Sequence, residues 1–341
     1  MNERPRDGAN MDTGVSKRHY RARTLAGRLS LIALTLSLAC VSLPAAAGPS
    51  PAVVSLWPGG TPGTQSEKTT RTIVDRGASG GLHDRAATGI SDPTLTIFEA
   101  AKPNGSALLI VPGGGYQRVV MDKEGYESAE WFAEQGTTAF VLMYRLPDES
   151  WSDGANIVLQ DTQRSMRIIR SDVERYSIDK DRVGVMGFSA GGHAAAILST
   201  RFDDSVYTPL DAIDEESARP DFAVLMYPVI SMQEDIAHAG SRQNLLGTKP
   251  AAREVEMQSP QNLVTASTPP TFLLHAADDA SVVVANTLLM HSALLQAEVE
   301  TELHVFATGG HGFGMRGTAG LPVAAWPELV RAWMLELFEE D

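Results

Sequence analysis

Three residue types in a fixed chain order could do chemistry together: Ser189, an acid at Asp279 or Asp278, and His311. Ser189 is the centre of Gly187-Phe188-Ser189-Ala190-Gly191, which directly follows the β-rich run Val183–Met186 and precedes a helical pattern. Gly-x-Ser-x-Gly at a strand-to-helix turn makes a nucleophile elbow. The turn is so tight that a side chain at 187 or 191 would collide with neighbouring backbone, and the serine is held strained with Oγ above the sheet. A hydroxyl is a poor nucleophile until a base takes its proton. An acid and then a histidine should therefore follow, each at the end of a strand.

Both are present. Phe272-Leu273-Leu274-His275 runs into Ala276-Ala277-Asp278-Asp279, and Leu303–Phe306 runs into Gly309-Gly310-His311-Gly312. Of the eight histidines, only His311 lies in a glycine-flanked loop after the last strand candidate. His193 follows Ser189 by four residues on the same helix and reads as structural; His275 and His304 lie inside strands, and His83, His238 and His291 have no motif around them. Asp279 is the favoured acid, because the apolar Val282 three residues on suits a loop acid before a helix; Asp278 is the alternative. The acid would fix the imidazole tautomer and stabilise the imidazolium. Donors for a developing oxyanion are expected from Pro112-Gly113-Gly114-Gly115-Tyr116, after the strand candidate Leu108–Val111. The N–H groups of Gly114, Gly115 and Ala190 would converge there. A phosphate-binding glycine loop needs Gly-x-Gly-x-x-Gly or a Gly-Lys-Ser/Thr ending, and this stretch has neither.

The elements that must position these groups alternate along the chain. Strand candidates are Leu95–Phe98, Leu108–Val111, Thr138–Met143, Val183–Gly187, Phe222–Tyr227, Phe272–His275 and Leu303–Phe306. Several are almost continuously apolar, as strands covered on both faces are. Helices are expected over Glu124–Gln135, Ile157–Arg170, Ala190–Leu198, Val284–Ala297 and Trp326–Phe338; the last carries Trp326, Val330, Trp333 and Leu337 as an apolar stripe. The alternation predicts an α/β fold, a mainly parallel central sheet with helices on both faces. Residues 48–90, rich in Gly, Pro, Ser and Thr, read as a loop-rich N-terminal segment with one strand near Thr70–Val74, and 91–341 as the catalytic domain. Ser231–Pro270 has no assigned role beyond short helices rimming a site.

Residues 1–47 read as an address rather than fold. Seven Lys/Arg and three acids precede a largely apolar stretch, Leu29–Leu43, which ends in Pro44-Ala45-Ala46-Ala47. A basic start, short apolar middle and Ala-x-Ala end predict a cleavable export signal and a periplasmic or secreted product. The stretch is too short to span a hydrocarbon core of about 30 Å, so no membrane insertion is expected after cleavage. Lipidation at Cys40 is disfavoured by Ser37, where an aliphatic residue is usual, and the absence of an Arg-Arg pair disfavours the twin-arginine route. The whole chain has 341 residues and a formal charge of −14; taking seven basic and three acidic residues from its 28 and 42 leaves 21 and 39, a net of −18 on the remainder. That balance argues against nucleic acid as a partner. The single cysteine excludes a disulfide framework and a multi-cysteine metal site, and the 43% hydrophobic content excludes a disordered chain.

On Pro112–Tyr116, Glu124-Gly125, Tyr144-Arg145-Leu146-Pro147, Gly187–His193, Tyr227-Pro228, Pro269–His275, Asp279 and Gly310–Phe313, the chain resembles α/β-hydrolases of the carbohydrate-esterase-like branch, which includes acetylxylan esterases and feruloyl-esterase-like proteins. The resemblance spans roughly residues 53–340. It implies Ser189 as nucleophile, His311 as base, Asp279 as orienting acid, and a metal-free mechanism without cofactor. It also implies a small-molecule or polysaccharide ester as substrate, acetylated xylan leading. One departure is Val282-Val283, where the family usually has Val-Pro; it keeps Asp278 open. Three other readings compete. A prolyl-oligopeptidase-like peptidase would share the triad but usually carries a large propeller, for which the roughly sixty residues before Gly113 give no room. A catalytically dead binding module would not need the full triad. A glycosidase would need two carboxylates flanking the bond, and no motif supports such a pair.

Overall fold

The computed structural model describes residues 51–77 and 81–339. The expected export signal, its cleavage site after Ala47 and Cys40 lie outside the described residues. Eleven strands are seen among those described: β1 (Ala52–Ser55), β2 (Thr72–Asp75), β3 (Arg85–Thr88), β4 (Thr94–Phe98), β5 (Ala107–Val111), β6 (Val119–Val120), β7 (Thr138–Met143), β8 (Val183–Phe188), β9 (Ala223–Met226), β10 (Thr271–Ala276) and β11 (Thr301–Phe306). The helices are α1 (Glu127–Glu134), α2 (Asn156–Ser171), α3 (Val173–Tyr176), α4 (Ala190–Arg201), α5 (Ala239–Leu246), α6 (Ala252–Met257), α7 (Ala285–Gln296) and α8 (Trp326–Glu339).

Eight strands form one sheet in the order β1-β4-β7-β5-β8-β9-β10-β11. The pairings from β7 through β11 are parallel, whereas β1–β4 and β4–β7 are antiparallel. Both faces are covered, which is why the central strands read as unbroken apolar runs. Leu109 and Val111 of β5 face one core with Ile157 and Ile169 of α2, Ala195 and Leu198 of α4, and Met290 of α7. Leu108 and Ile110 alternate to the other core, with Phe132 of α1 and Trp326, Val330 and Trp333 of α8. The stripe expected on the last helix is thus its buried face, with Leu337 packed at its margin.

The N-terminal segment holds more structure than its composition suggests. β1 extends the main sheet by pairing with β4, and β2, β3 and β6 form a separate antiparallel sheet. Arg85-Ala86-Ala87-Thr88 has little intrinsic strand preference and is a strand because β2 and β6 flank it. The helix expected from Glu124 instead begins as a π-helical turn, Asp122–Tyr126, which passes into α1. Such a turn is invisible to a 3.6-residue periodicity, and π-helical turns occur frequently at functional sites.

Candidate active site

The elbow has the expected strain. Ser189 sits at φ 53°, ψ −117°, between β8 and α4. A Cβ on Gly187 would lie 2.1 Å from the carbonyl oxygen of Gly191, and one on Gly191 would lie 2.0 Å from that of Val111. No side chain fits at either place, so only glycine there allows the tight turn that sets Ser189 Oγ within reach of the histidine loop.

His311 meets it from the loop after β11. Its Nε2 lies 2.8 Å from Ser189 Oγ, and its Nδ1 lies 2.6 Å from Asp279 Oδ2. Because the carboxylate can only accept, Nδ1 carries the proton and Nε2 is left bare toward the hydroxyl. Asp279 Oδ1 accepts from the Ser281 and Val282 N–H groups at 2.8 and 2.9 Å. A second imidazole reaches the same acid: His275 Nε2 lies 3.2 Å from Asp279 Oδ2 and 2.8 Å from the Val282 carbonyl, while Thr287 Oγ1 lies 2.7 Å from its Nδ1. Burial alone would raise the pKa of Asp279, but the hydrogen bonds from His275 and His311 outweigh it and hold the carboxyl well below the usual range. Asp278 points elsewhere. Its Oδ1 accepts from the Gly309 and Gly310 N–H groups at 2.9 and 2.8 Å, and so pins the loop that carries His311.

Every carbonyl of the glycine loop is tied down. Pro112 O accepts from Tyr144 Oη at 2.9 Å, Gly113 O from Val120 N at 3.0 Å, Gly114 O from Gln117 N at 3.2 Å and Gly115 O from Asn244 Nδ2 at 2.8 Å. The Gly113 N–H is used as well, donating to Glu124 Oε2 at 2.8 Å. Gly114 adopts φ 133° and Gly115 φ 67°, conformations that favour glycine. With Ala190 at the first turn of α4, the Gly114 and Gly115 amides are the donors left beside Ser189, and all but Ala190 line its cavity.

Three supports have partners that the sequence did not reveal, although Glu124, Tyr227 and His193 stand among the resembling motifs and His193 reads as structural. Glu124 sits on the π-helical turn and binds both the glycine loop and Tyr227 Oη, at 3.1 Å. Tyr227 Oη in turn accepts from Gly314 N at 3.1 Å, and its ring stands edge-on to His311 with centroids 5.1 Å apart. One carboxylate thereby holds the oxyanion loop and the histidine loop in register. His193, buried behind the elbow, takes Tyr116 Oη on Nδ1 at 2.7 Å and donates Nε2–H to Gln258 O at 2.8 Å. Burial pulls its pKa down to about 4, so it is a neutral strut rather than a base. The segment Ser231–Pro270 supplies α5 and α6, and with them His238 and Asn244 in the cavity wall. Among the described residues, no cluster of His, Cys, Asp and Glu has the geometry to hold a metal ion.

Fold and site together define an α/β-hydrolase with a Ser189–His311–Asp279 triad. The chain belongs to the BD-FAE family, whose model matches residues 95–294. It is 36% identical over 224 residues to an acetylxylan esterase of Xylanibacter ruminicola, which is 64% of this chain and 43% of that protein. It is 35% identical over 205 residues to the endo-1,4-beta-xylanase B of Butyrivibrio fibrisolvens, 60% of this chain and 32% of that protein. The match thus spans less than half the length of either relative. The acetyl ester-xyloside bifunctional hydrolase from Caldicellulosiruptor lactoaceticus superposes with a TM-score of 0.68 at 33% identity, over 85% of this chain and 98% of that one. The carboxylesterase Cest-2923 of Lactobacillus plantarum WCFS1, at TM-score 0.60 and 23% identity, shares the fold over 80% and 98%.

Proposed function

We propose that the protein is an exported serine esterase that removes acetyl groups from plant-type saccharides through an acyl-enzyme. The observation that carries this reading is the continuous hydrogen-bonded relay from Ser189 Oγ through His311 to Asp279, at 2.8 and 2.6 Å. In this reading Ser189 Oγ attacks the ester carbonyl carbon while its proton passes to His311 Nε2. The carbonyl oxygen becomes an anion facing the Gly114, Gly115 and Ala190 amides; losing one such donor costs about 3 kcal/mol of barrier. The C–O bond to the sugar then breaks, and His311 returns the proton to the departing oxygen. Water, deprotonated by His311, attacks the acyl-serine by the same route in reverse, releasing acetate and restoring the hydroxyl. Asp279, held ionised, keeps the imidazole proton on Nδ1 throughout.

Similarity to an acetylxylan esterase and to an acetyl ester-xyloside hydrolase supports an acetylated saccharide as substrate. The basic, apolar and Ala-x-Ala order of residues 1–47 supports export, which would bring the enzyme to polymers outside the cytoplasm. The test is a panel of acetyl, butyryl and feruloyl esters together with acetate release from acetylated xylan. Ser189→Ala is expected to lower turnover of an aryl acetate by a factor on the order of 10⁴ or more. Retained activity in that variant, or a preference for dipeptide arylamides over esters, would end the proposal.

A further inference from the structure

The cavity at Ser189 is about 430 Å³ and is walled by Arg76, Arg118 and Lys123 against one carboxylate, Glu124. In a chain with a formal charge of −14, that is a local reversal of sign. Arg76 is neutralised by Asp84 at 2.9 Å. Arg118 and Lys123 are different, because among the described residues neither forms an ion pair. Arg118 bonds only Gln117 Oε1, at 3.2 Å, and its Nε is buried without a partner. Its stem lies along the oxyanion loop, since a Cβ on Gly114 would meet Arg118 Cγ at 3.0 Å. Lys123 stands beside the histidine loop, with Nζ 3.6 Å from where a Cβ of Gly312 would be. The Glu124 carboxylate accepts from Gly113 N and Tyr227 Oη and, although its Oε1 lies 3.7 Å from that same point beside Gly312, it forms no ion pair with either cation.

Two cations without an ion-pair partner among the described residues beside a reactive serine, one with a buried unpaired N–H, have no task in transferring a neutral acetyl group. A two-carbon acyl group fills only a small part of the cavity, so most of the space belongs to the alcohol. We propose that this cavity is a subsite for a carboxylate on the alcohol side of the ester, and that the preferred substrate is an acylated saccharide bearing a uronic acid. Arg118 and Lys123 bind that carboxylate by charge-assisted hydrogen bonds, and the local positive potential draws it toward Ser189. The proposal rests on the ester-hydrolase reading above and adds to it the charge of the substrate.

The experiment compares mono-O-acetyl methyl glucuronoside with mono-O-acetyl methyl glucoside, which differ only in a carboxylate replacing a hydroxymethyl group. The full chain should favour the uronate in kcat/KM by roughly tenfold or more, chiefly through KM, as one charge-assisted contact implies. The ratio should shrink in about 0.5 M NaCl, where charges are screened within a few ångströms. It should also shrink in Arg118→Gln and in Lys123→Gln, with Arg118→Lys recovering part of it. Equal kcat/KM for the two esters in the unmodified protein overturns the proposal, as does a ratio that survives both salt and the double substitution. The unmodified protein with and without salt decides the matter even where a variant does not fold. Labelling of Ser189 by a fluorophosphonate separates the two levels: a labelled protein inert on both esters refutes the substrate class, whereas an unlabelled, inert protein refutes the esterase reading beneath it.

Discussion

Replacing Asp279 by asparagine keeps the shape of the side chain and reverses the chemistry at one of its two ends. The direction of that reversal is dictated by the structure. Oδ1 of Asp279 receives two backbone N–H groups, from Ser281 and Val282, so the amide oxygen of an asparagine must take that position. Its NH2 is then forced to the place of Oδ2, where it faces His311 Nδ1 and the N–H of His275. A donor now meets His311 Nδ1, which can answer only by becoming an acceptor. The imidazole proton moves to Nε2, toward Ser189 Oγ, and the histidine can no longer take the hydroxyl proton. A wrong-tautomer substitution of this kind in a serine protease triad lowers kcat about 10⁴-fold, which is about 5.5 kcal/mol of barrier. Asp278→Asn leaves an oxygen able to accept from Gly309 and Gly310, so it weakens two charge-assisted bonds without removing them and should cost about tenfold or less. The assay is kcat/KM on an aryl acetate, with the fluorophosphonate labelling rate of Ser189 measured in parallel. Asp279→Asn within tenfold of the parent, or Asp278→Asn as the more damaging change, would refute the reasoning.

Two further outcomes concern stability. Arg145 and Asp161 form a fully buried ion pair at 2.7 Å, to which Trp57 Nε1 and the Arg145 N–H also donate. Asp161→Ala strands the guanidinium away from water and should cost about 3–5 kcal/mol in urea unfolding; a loss under 1 kcal/mol would mean that Arg145 finds another partner. His193 has a folded pKa lowered from 6.5 to about 4 by burial, so the unfolded chain binds the extra proton between those values. Its contribution is fully present above about pH 6.5 and is lost as pH falls through 4, by up to about 3 kcal/mol. His193→Gln should flatten that part of the stability profile, and an unchanged slope would show that another group is responsible.

The parallel sheet was legible because a strand covered on both faces has almost no freedom of composition: the runs at 107–111, 139–143 and 223–226 are apolar for that reason. The elbow was legible because its motif lies within five residues and Gly187 answers a clash with Gly191 inside it; the clash that Gly191 answers, with Val111, is brought to it only by the sheet. The role of Glu124 was not legible, since its partners Gly113 and Tyr227 are brought to it only by tertiary folding, and Tyr227 is 103 positions away along the chain. His238 and Asn244 were hidden for the same reason, inside a segment whose short helices have little amphipathic signature. The choice between Asp278 and Asp279 turned on direction at a strand end, where neighbouring side chains diverge: one carboxylate meets the imidazole, and the other meets the backbone beneath it. Tyr144-Arg145 is explained by position as well, with the tyrosine hydroxyl on Pro112 O and the arginine buried against Asp161.

The links from Asn244 to Gly115 and from Gln258 through His193 to Tyr116 make the two short helices α5 and α6 a buttress of the oxyanion loop. A hinged cover could swing away and leave the machinery beneath it intact; this one could not, because lifting it would release the glycine loop that lines the cavity with the serine. Widening the entrance by trimming 239–258 would therefore be paid in turnover, and broader access is better sought at the exposed Arg76, which lines the cavity and bonds Asp84 rather than either loop.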